Sequence, residues 1–259
     1  VGTNGLDLSL FQYDTDQSFA VFLLNADGTI YGRYGTRSEP ERAKEDVSVE
    51  GMAKALEGAL ALHKKYPANK ALLVGKHGSP PEFAHPEEYP SLQNRYTSLL
   101  DYGGKVVPSC IHCHMISEAK HTVALKRGQI TDSVLFPFPH PRSLGLILDP
   151  KQQPTVLRTE PGSDAARAGF LAGDRLQTLE GQNLLSTADI QWVLNTAPEK
   201  GTTLQAGILR GGKLRNLTLT LSPGWRRRDN FSWRVSTWGL RRAALGGMKL
   251  DSNPNGAGL

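Results

Sequence analysis

The sequence predicts an α+β protein, and three patterns among its 259 residues favour that class. Residues 19–34 hold a β-rich run, a turn at 25–28 and a second alternating run, which predicts a β-hairpin. Residues 51–66 carry apolar side chains three and four positions apart, which predicts an amphipathic helix. Two further β-rich runs at 203–210 and 214–221 are joined by two glycines and predict a second hairpin.

The composition limits the class of protein. Hydrophobic residues make up 39% of the chain and charged residues 21%, which is ordinary for a globular protein. No apolar run approaches the roughly 18 residues that a membrane-spanning helix needs, so no membrane span is expected. The net charge is +5 and belongs to residues 224–259, which hold seven Lys or Arg against two Asp. The basic character is therefore local to the C-terminal tail.

Residues 110–114 spell Cys-Ile-His-Cys-His, the C-x-x-C-H pattern of c-type haem attachment. Two thiols three positions apart can each form a thioether to one vinyl group of the same porphyrin. The histidine that follows then lies under the iron as its proximal ligand. Cys110 and Cys113 are the only 2 cysteines of the chain, so two thioethers would leave no thiol for other chemistry. The motif predicts one covalent haem c on Cys110, Cys113 and His114.

Three other uses of the same thiols stay open. A zinc site would need Cys110 and Cys113 to be completed by two histidines, and His114 with His121 gives no C2H2 spacing that fits well. The run Cys-Ile-His-Cys also resembles the C-x-H-C motif of DsbA-like thiol-disulfide oxidoreductases, where the internal histidine, here His112, helps to stabilise the thiolate. A plain disulfide or an inert thiol pair is the third alternative.

The second axial ligand of the iron has no local signature. His121 follows His114 by seven positions on the same face of a predicted helix, so it cannot reach the opposite side of the same ring. The candidates are His140, His77, His85, Met248 and Met52. A five-coordinate iron is the remaining option.

The segment around the motif, residues 67–142, is rich in proline and histidine and poor in periodicity. A helix is predicted over 115–127, with Gly128 ending it. An irregular segment of this length is unusual inside a compact domain. A haem macrocycle would supply the apolar core that the segment lacks.

The N-terminal stretch FAVFLLNADGTIYGRYG and the helix after it resemble the C-terminal half of a thioredoxin-like domain. The likeness is partial, because only 18 residues precede the hairpin and Gln17-Ser18 stands where that family has a cis-proline. In the family the dithiol helix comes before the hairpin. Cys110 and Cys113 follow the final helix instead, which argues against the DsbA-like interpretation.

The stretch RTEPGSDAARAGFLAGDRLQTLEGQNLLSTADIQWVL closely follows the pattern of HtrA-type PDZ domains, and the resemblance covers residues 143–222. A PDZ domain binds an extended peptide or protein C-terminus by strand addition beside its last helix. The resemblance implies a peptide groove formed by Ser143, Leu144, Gly145, Leu146, Ile190, Val193 and Leu194. The alternative is a PDZ fold that only docks against its own chain.

The tail, residues 223–259, holds three of the four tryptophans. Alternation of Phe231, Trp233 and Val235 predicts a strand packed on the PDZ domain. The arginines at 226–228 are expected either to stay solvated or to meet an anionic group such as the haem propionates. Mixed basic and aromatic residues can also bind nucleic acid, but an exported haem protein is not expected to do so.

These patterns divide the chain into a partial thioredoxin-like segment (1–66), an irregular haem-binding segment (67–142), an HtrA-type PDZ domain (143–222) and the tail (223–259). They predict a mono-haem c-type cytochrome for one-electron transfer that its PDZ domain positions on a partner. The alternatives are a PDZ interaction module with haem as a structural staple, and a thiol-disulfide oxidoreductase using Cys110 and Cys113. An electron-transfer or binding protein is favoured over an enzyme.

The predicted function implies partners and a location. The expected partners are a redox protein, a peptide or protein C-terminus in the PDZ groove, and further haem subunits in an assembly. Haem is attached to C-x-x-C-H outside the cytoplasm, so a periplasmic or extracellular location is expected. The chain opens on Val1 and shows no signal peptide, so the expectation includes an export signal that has been removed.

Overall fold

The structure is a computed structural model that describes residues 2–17 and 19–246. The regular elements follow one another in this order: β1 (Val21–Leu24), β2 (Ile30–Tyr34), α1 (Ala43–Asp46), α2 (Val49–His63), α3 (Val106–Ser109), α4 (Cys113–Arg127), α5 (Asp132–Leu135), β3 (Leu146–Leu148), β4 (Val156–Thr159), α6 (Asp164–Arg167), β5 (Arg175–Leu179), β6 (Gln182–Asn183), α7 (Thr187–Thr196), β7 (Thr202–Arg210), β8 (Lys213–Leu221) and α8 (Thr237–Ala244). The strands form two-stranded sheets β1-β2 and β3-β4 and a four-stranded sheet of order β6-β5-β7-β8. The mixed helix and strand content confirms the α+β prediction. In the part of the chain so described, no helix has the length and apolarity that crossing a bilayer requires.

The N-terminal hairpin forms where its turn residues predict it. β1 and β2 pair antiparallel, and Asn25 N–H donates to Thr29 O at 2.9 Å across the turn. Gly28 has a φ of 82°, a left-handed conformation that glycine adopts without strain. α2 begins after Ser48, whose hydroxyl accepts a hydrogen bond from Gly51 N–H at 2.9 Å. The predicted hairpin and helix are therefore present, whereas their likeness to thioredoxin stays a prediction.

The hairpin docks against the first turn of α7. Ser186 Oγ donates to Arg33 O at 2.5 Å, and the Arg33 guanidinium lies 4.0 Å from the ring centroid of Trp192. A Cβ on Gly32 would lie 2.7 Å from Leu185 Cδ1, so any side chain there would push the hairpin away from α7. This docking places the N-terminal hairpin and the C-terminal sheet in one packed unit.

The segment 67–142 has a hydrophobic core, which overturns the prediction that it lacks one. Leu8 packs there with Tyr89, Leu92, Ile111 and Ile116, all of them buried. The N-terminal segment reaches this cluster because it lies against the haem motif. The core is therefore formed by residues of the segment itself together with Leu8 from the N-terminus, and it does not by itself require a haem.

The C-terminal sheet and its helices follow the predicted elements within one or two residues. The Ser186 hydroxyl accepts a hydrogen bond from Ala188 N–H at 3.1 Å and so caps α7. Arg210 on β7 forms a two-pronged ion pair with the buried Asp174, with Nε–Oδ1 and Nη2–Oδ2 distances of 2.6 Å. The core of this domain includes Leu146, Leu148, Leu176, Ile190, Val193, Leu194, Leu204 and Trp225.

The strand predicted in the tail is wrong. Phe231 and Arg234 are both buried, three positions apart, and Arg234 N–H donates to Phe231 O at 3.1 Å. That spacing is a turn, not an alternating strand. Thr237 then starts α8.

The arginines at the start of the tail are not free for an anionic partner. Arg226 is buried, and its Nη2 donates to the carbonyl oxygens of Leu194, Asn195 and Ala197 at 3.1, 2.7 and 3.0 Å, the last carbonyls around the end of α7. Arg227 pairs with Asp132 and Arg228 with Asp164. The expectation that Arg226 is solvated or meets haem propionates is therefore wrong. The boundaries drawn between segments stay predictions.

Candidate functional site

The C-x-x-C-H motif lies where two helices meet. Cys110 follows the last residue of α3, and Cys113 is the first residue of α4. Ile111 between them is fully buried, and its carbonyl oxygen accepts hydrogen bonds from Thr3 N–H at 2.8 Å and Thr3 Oγ1 at 2.9 Å. The buried isoleucine and its two hydrogen bonds therefore fix the backbone between the two cysteines.

The two thiols are free and half-buried. The Tyr13 hydroxyl donates to Cys113 Sγ at 3.4 Å. Burial raises the pKa of Tyr13, and the hydrogen bond to Cys113 raises it further. The phenol therefore stays protonated and can act as a donor to the sulfur. The disulfide alternative finds no bond between the two cysteines here.

His114 has one engaged ring nitrogen. Its Nδ1 donates to Glu118 Oε1 at 3.0 Å, one helical turn further on. No hydrogen bond to Nε2 occurs within residues 2–17 and 19–246. A carboxylate on Nδ1 fixes the tautomer and orientation of an imidazole whose other nitrogen binds a metal. The His112 ring lies nearly parallel to His114, with centroids 5.9 Å apart.

The donor set fits a covalent haem. Two unbonded thiols and an imidazole with a lone pair on Nε2 are the groups that haem c attachment requires. Leu99, Tyr102 and Val107, shortly before the motif, are strongly exposed apolar side chains. Apolar residues of this size in one short stretch often mark a surface that a ligand or partner covers.

The zinc alternative finds less support. The described part of the chain holds no group of three or more His, Cys, Asp or Glu placed to bind one metal ion. His121 has both ring nitrogens engaged, with Nδ1 3.2 Å from Ser236 O and Nε2 3.2 Å from Val134 O. It therefore offers no free nitrogen beside the two thiols.

The distal-ligand candidates lie in separate surroundings. His77 is exposed at the end of the turn Lys70–Lys76, His85 Nδ1 lies 3.2 Å from Leu6 O, and Met52 packs against the hairpin core. Met248 lies outside the described residues. None of these positions identifies a second axial ligand, and the choice among them stays a prediction.

His140 is buried beside the PDZ-like domain. Its Nδ1 accepts a hydrogen bond from Arg142 N–H at 3.2 Å, and its Nε2 lies 3.7 Å from Asp46 Oδ1. Burial lowers the pKa of His140 to about 4, although Asp46 opposes the shift. The imidazole is therefore neutral near pH 7, and it is held between two charged neighbours.

Two adjoining cavities separate α4 from α7. They have volumes of about 230 and 270 Å³ and share Tyr13, Thr15, Lys120, Phe138 and Asn195 in their walls. Neither thiol of the motif lines these cavities, so they are not the crevice that a haem on the motif would occupy.

The predicted groove residues form a turn, a strand and one face of a helix. Ser143 and Leu144 belong to the turn Pro141–Leu144, and Gly145 follows it with a φ of 73°. Gly145 N–H donates to Arg142 O at 2.8 Å, so this amide is already used by the turn. Leu146 starts β3, which pairs with β4 along one edge.

The other predicted wall of the groove is α7. Ile190, Val193 and Leu194 are all buried in the domain core, where they pack with the apolar side chains of β3. Gln191, beside them, carries polar contacts: its Nε2 donates to Phe138 O at 2.9 Å. The assignment of a peptide to this groove stays a prediction.

Sequence reasoning missed several residues beside these sites. Glu118 follows His114 by four positions, a spacing that pairs side chains on one helix face, so the sequence did carry a signal for it. Tyr13 beside Cys113 had no such signal, because the two residues are 100 positions apart. Asp46 and Thr36 had no local signal either, because their partners Arg142 and Gln191 are also distant in the sequence.

Comparisons with known proteins match the C-terminal domain. Residues 142–221 match the family described as PDZ domain. The periplasmic pH-dependent serine endoprotease DegQ of Escherichia coli (strain K12) is 38% identical over 74 residues, which are 29% of this chain and 16% of DegQ. A solved structure of the HtrA-type protease AlgW with decapeptide aligns with 20% identity over 49% of this chain and 40% of that chain, at a TM-score of 0.27.

The PDZ family match agrees with the fold. The region that matches the PDZ family, residues 142–221, contains the strands and helices from β3 to β8, and the C-x-x-C-H motif and the N-terminal hairpin lie outside it. The matched part spans 16% of the length of DegQ, so the likeness concerns a small part of that protein. The comparisons therefore identify a PDZ domain at residues 142–221 of this chain.

Proposed function

We propose that this protein carries one haem c on Cys110, Cys113 and His114 and transfers single electrons, while its PDZ domain binds a partner. The observation that carries the proposal is the state of His114. Its Nδ1 is held by Glu118 at 3.0 Å, and its Nε2 is left for a metal. When bound, the haem would supply a one-electron redox couple.

Side chains of this protein would position the two thiols and the proximal histidine. Buried Ile111 holds the backbone between the two thiols. The Tyr13 hydroxyl lies against Cys113 Sγ and orients that side chain. Glu118 keeps the proton on Nδ1 of His114, and its negative charge makes Nε2 a stronger donor to iron.

Haem attachment is tested on protein exported with a c-type maturation system. We expect a Soret band and the added mass of one haem that resists acid-acetone extraction. Cys113→Ala should lose one thioether, and His114→Ala should shift the Soret band, while His63→Ala, at an exposed histidine that is not a ligand candidate, should change neither. A colourless product with two free thiols would end the cytochrome proposal and leave the thiol-disulfide alternative.

Electron transfer and a structural staple differ in redox behaviour. A carrier should show a reversible one-electron transition in a potentiometric titration followed at the haem absorption bands. A haem that cannot be reduced at any accessible potential would favour the alternative in which it only stabilises the fold. In that case the PDZ domain would be the functional part of the chain.

The second candidate function is peptide binding by the PDZ domain. Domains of this family receive an extended peptide or protein C-terminus at a strand edge, and in the part of the chain that the structure describes β3 pairs along one edge only. Peptide binding is tested with a library of C-terminal peptides, each compared with the same peptide carrying a C-terminal amide. Peptides with a free carboxylate should bind, and the same peptides with a C-terminal amide should not.

A location in the periplasm or outside the cell fits both candidates. DegQ, whose sequence matches the PDZ domain, is periplasmic by its name. Haem c is also attached outside the cytoplasm. The partners proposed are therefore a redox protein and a peptide or protein C-terminus within that compartment, with further haem subunits as an additional possibility to be tested by mass photometry.

A further inference from the structure

The strand that would receive a peptide is buried, and it pairs with β4 along one edge. Leu146, Ile147 and Leu148 of β3 are all buried. Within the described residues, no hydrogen bond from a segment outside the β3-β4 pair reaches the backbone of Leu146 or Leu148. The strand edge thus keeps its hydrogen-bonding groups while something else excludes solvent from it.

One segment of the N-terminal half contacts α7, the turn before β3 and the loop after β3. This segment, residues 36–48, is called the cover below. At its start, the Thr36 hydroxyl donates to the Gln191 side-chain oxygen on α7. Both residues are buried. The cover therefore meets the helical wall of the groove.

The middle of the cover meets the turn that precedes β3. Asp46 Oδ1 accepts a hydrogen bond from Arg142 Nε at 3.1 Å, and Asp46 Oδ2 accepts from Ser38 N–H and Ser38 Oγ at 2.7 Å. The Asp46 side chain is 1% exposed and that of Arg142 13%. One carboxylate thus braces the cover internally and fastens it to the loop that receives a peptide's C-terminus.

The end of the cover meets the far end of β3. Ser48 Oγ donates to Pro150 O at 2.9 Å. Just beyond, a Cβ on Gly51 would lie 2.1 Å from the same oxygen, so the backbone of α2 approaches this loop closely. The cover is therefore fastened both to the turn before the groove strand and to the loop after it.

The contacts described above, which fix the cover to the PDZ domain, are hydrogen bonds and an ion pair. Glu41, Lys44 and Glu45 face solvent on its outer side. A segment with few buried apolar contacts opens at low free energy compared with the core beneath it. The buried ion pair Asp46–Arg142 is then the strongest single fastening. Removing one partner would leave the charge of the other buried and without a counter-ion.

We infer that residues 36–48 are an autoinhibitory cover over the peptide groove of the PDZ domain, latched by Asp46 on Arg142. A peptide can add to β3 only after the cover moves away. The inference rests on the proposed peptide-binding function of the same groove. It also accounts for the burial of the edge of β3 that does not face β4, where no strand pairs with it in the described residues.

Hydrogen exchange on the full chain tests the cover without any ligand. In Asp46→Ala the amides of Leu146 and Leu148 should exchange about tenfold faster than in the parent protein, while the Leu176 amide in the core stays protected. Glu45→Ala is the matched control, because Glu45 binds the same arginine from an exposed position. Thr36→Val removes the other fastening with little change of shape and should act in the same direction.

Unchanged exchange at Leu146 and Leu148 in both folded variants overturns the cover. Exchange at the unfolded rate in the parent protein overturns it as well. If a variant fails to fold, which circular dichroism reports, the other one decides.

Peptide-binding measurements then distinguish failure of the autoinhibitory cover from failure of the proposed peptide-binding function. With free-acid peptides selected from a C-terminal library, Asp46→Ala should bind about tenfold more tightly than the parent protein. Equal affinity for both proteins overturns the autoinhibition. If the variant exposes the Leu146 and Leu148 amides but binds no free-acid peptide better than its amide, the peptide-binding function fails while the cover stands.

Discussion

Lys76 Nζ lies 2.6 Å from Asp189 Oδ1, and neither side chain has any exposed surface. The same ammonium donates to Asn183 O at 2.5 Å, and the same carboxylate accepts from Arg33 N–H at 3.2 Å and Leu185 N–H at 2.9 Å. Burial lowers the pKa of Lys76, and Asp189 opposes the shift. This pair fastens the N-terminal half to the first turn of α7 and so fixes the position of the helix that borders the proposed peptide groove.

Replacing Lys76 with methionine should destabilise the whole protein. The change leaves Asp189 as a buried charge without its counter-ion, which typically costs about 3–5 kcal/mol. Urea unfolding followed by far-UV circular dichroism measures the loss. Lys70→Met is the control, because Lys70 pairs with Asp27 on the surface and such pairs contribute at most about 1 kcal/mol.

The double variant Lys76→Met with Asp189→Asn separates charge from packing. It should recover part of the loss, since an amide is less costly to bury than an unpaired carboxylate. Equal loss in Lys76→Met and Lys70→Met would show that the buried pair does not hold the two halves together.

Glu118→Gln should raise the reduction potential of the proposed haem without removing it. The negative carboxylate on Nδ1 of His114 strengthens donation from Nε2 and so stabilises ferric iron, whereas the neutral amide does this less. A potentiometric titration of the purified haem protein measures the shift. Glu82→Gln, at an exposed ion pair with Arg127, serves as the control and should leave the potential unchanged. A fall in potential, or equal shifts in both variants, would contradict this role for Glu118.

Asp14 should make the protein less stable as the pH rises toward neutral. Burial raises its pKa from 3.8 to about 6, although Arg234 opposes this. A raised pKa in the folded state means that the fold binds the proton more tightly than the unfolded chain. The favourable contribution is complete below pH 3.8 and is lost as the pH passes 6. Its slope within that window is at most about 1.4 kcal/mol per pH unit.

The measurement is the free energy of unfolding at several pH values for the parent protein and Asp14→Asn. The free energy of unfolding of the parent protein minus that of Asp14→Asn should fall between pH 4 and pH 6 and then level off. The reason is that Asp14 titrates in this window and asparagine does not. A difference that is constant over this range would place the folded pKa of Asp14 near its ordinary value.

The PDZ domain could be predicted from the sequence because its signals are local. Ser186 caps a helix, and glycines mark the turns between short strands, so each element is specified by neighbours in the chain. The haem motif is local in the same sense. The core around Ile111 could not be predicted, because Leu8 reaches it from the other end of the N-terminal half. The cover was missed for the same reason: Asp46 meets Arg142 across 96 positions.

The failed prediction for the tail has a different cause. Phe231, Trp233 and Val235 do alternate in the sequence, yet turn bonds and the burial of Arg234 decide their conformation. Alternation over five residues is a weak signal when a buried charge lies among them. Charge counting also misled, since it treated Arg226 as a solvated cation, whereas its partners are backbone carbonyls that the sequence does not display.

Arg226→Ala should destabilise the PDZ domain more than any neighbouring arginine does. The change leaves the carbonyls of Leu194, Asn195 and Ala197 without this donor at the end of α7, and each buried acceptor without a partner costs about 1–3 kcal/mol. Thermal unfolding followed by circular dichroism should show a clear fall in Tm. Arg227→Ala, which removes an exposed pair with Asp132, should lower Tm little, since surface pairs contribute about 0–1 kcal/mol. Equal falls in both variants would mean that the tail stabilises the domain through charge alone, and that the capping of α7 by Arg226 is energetically unimportant.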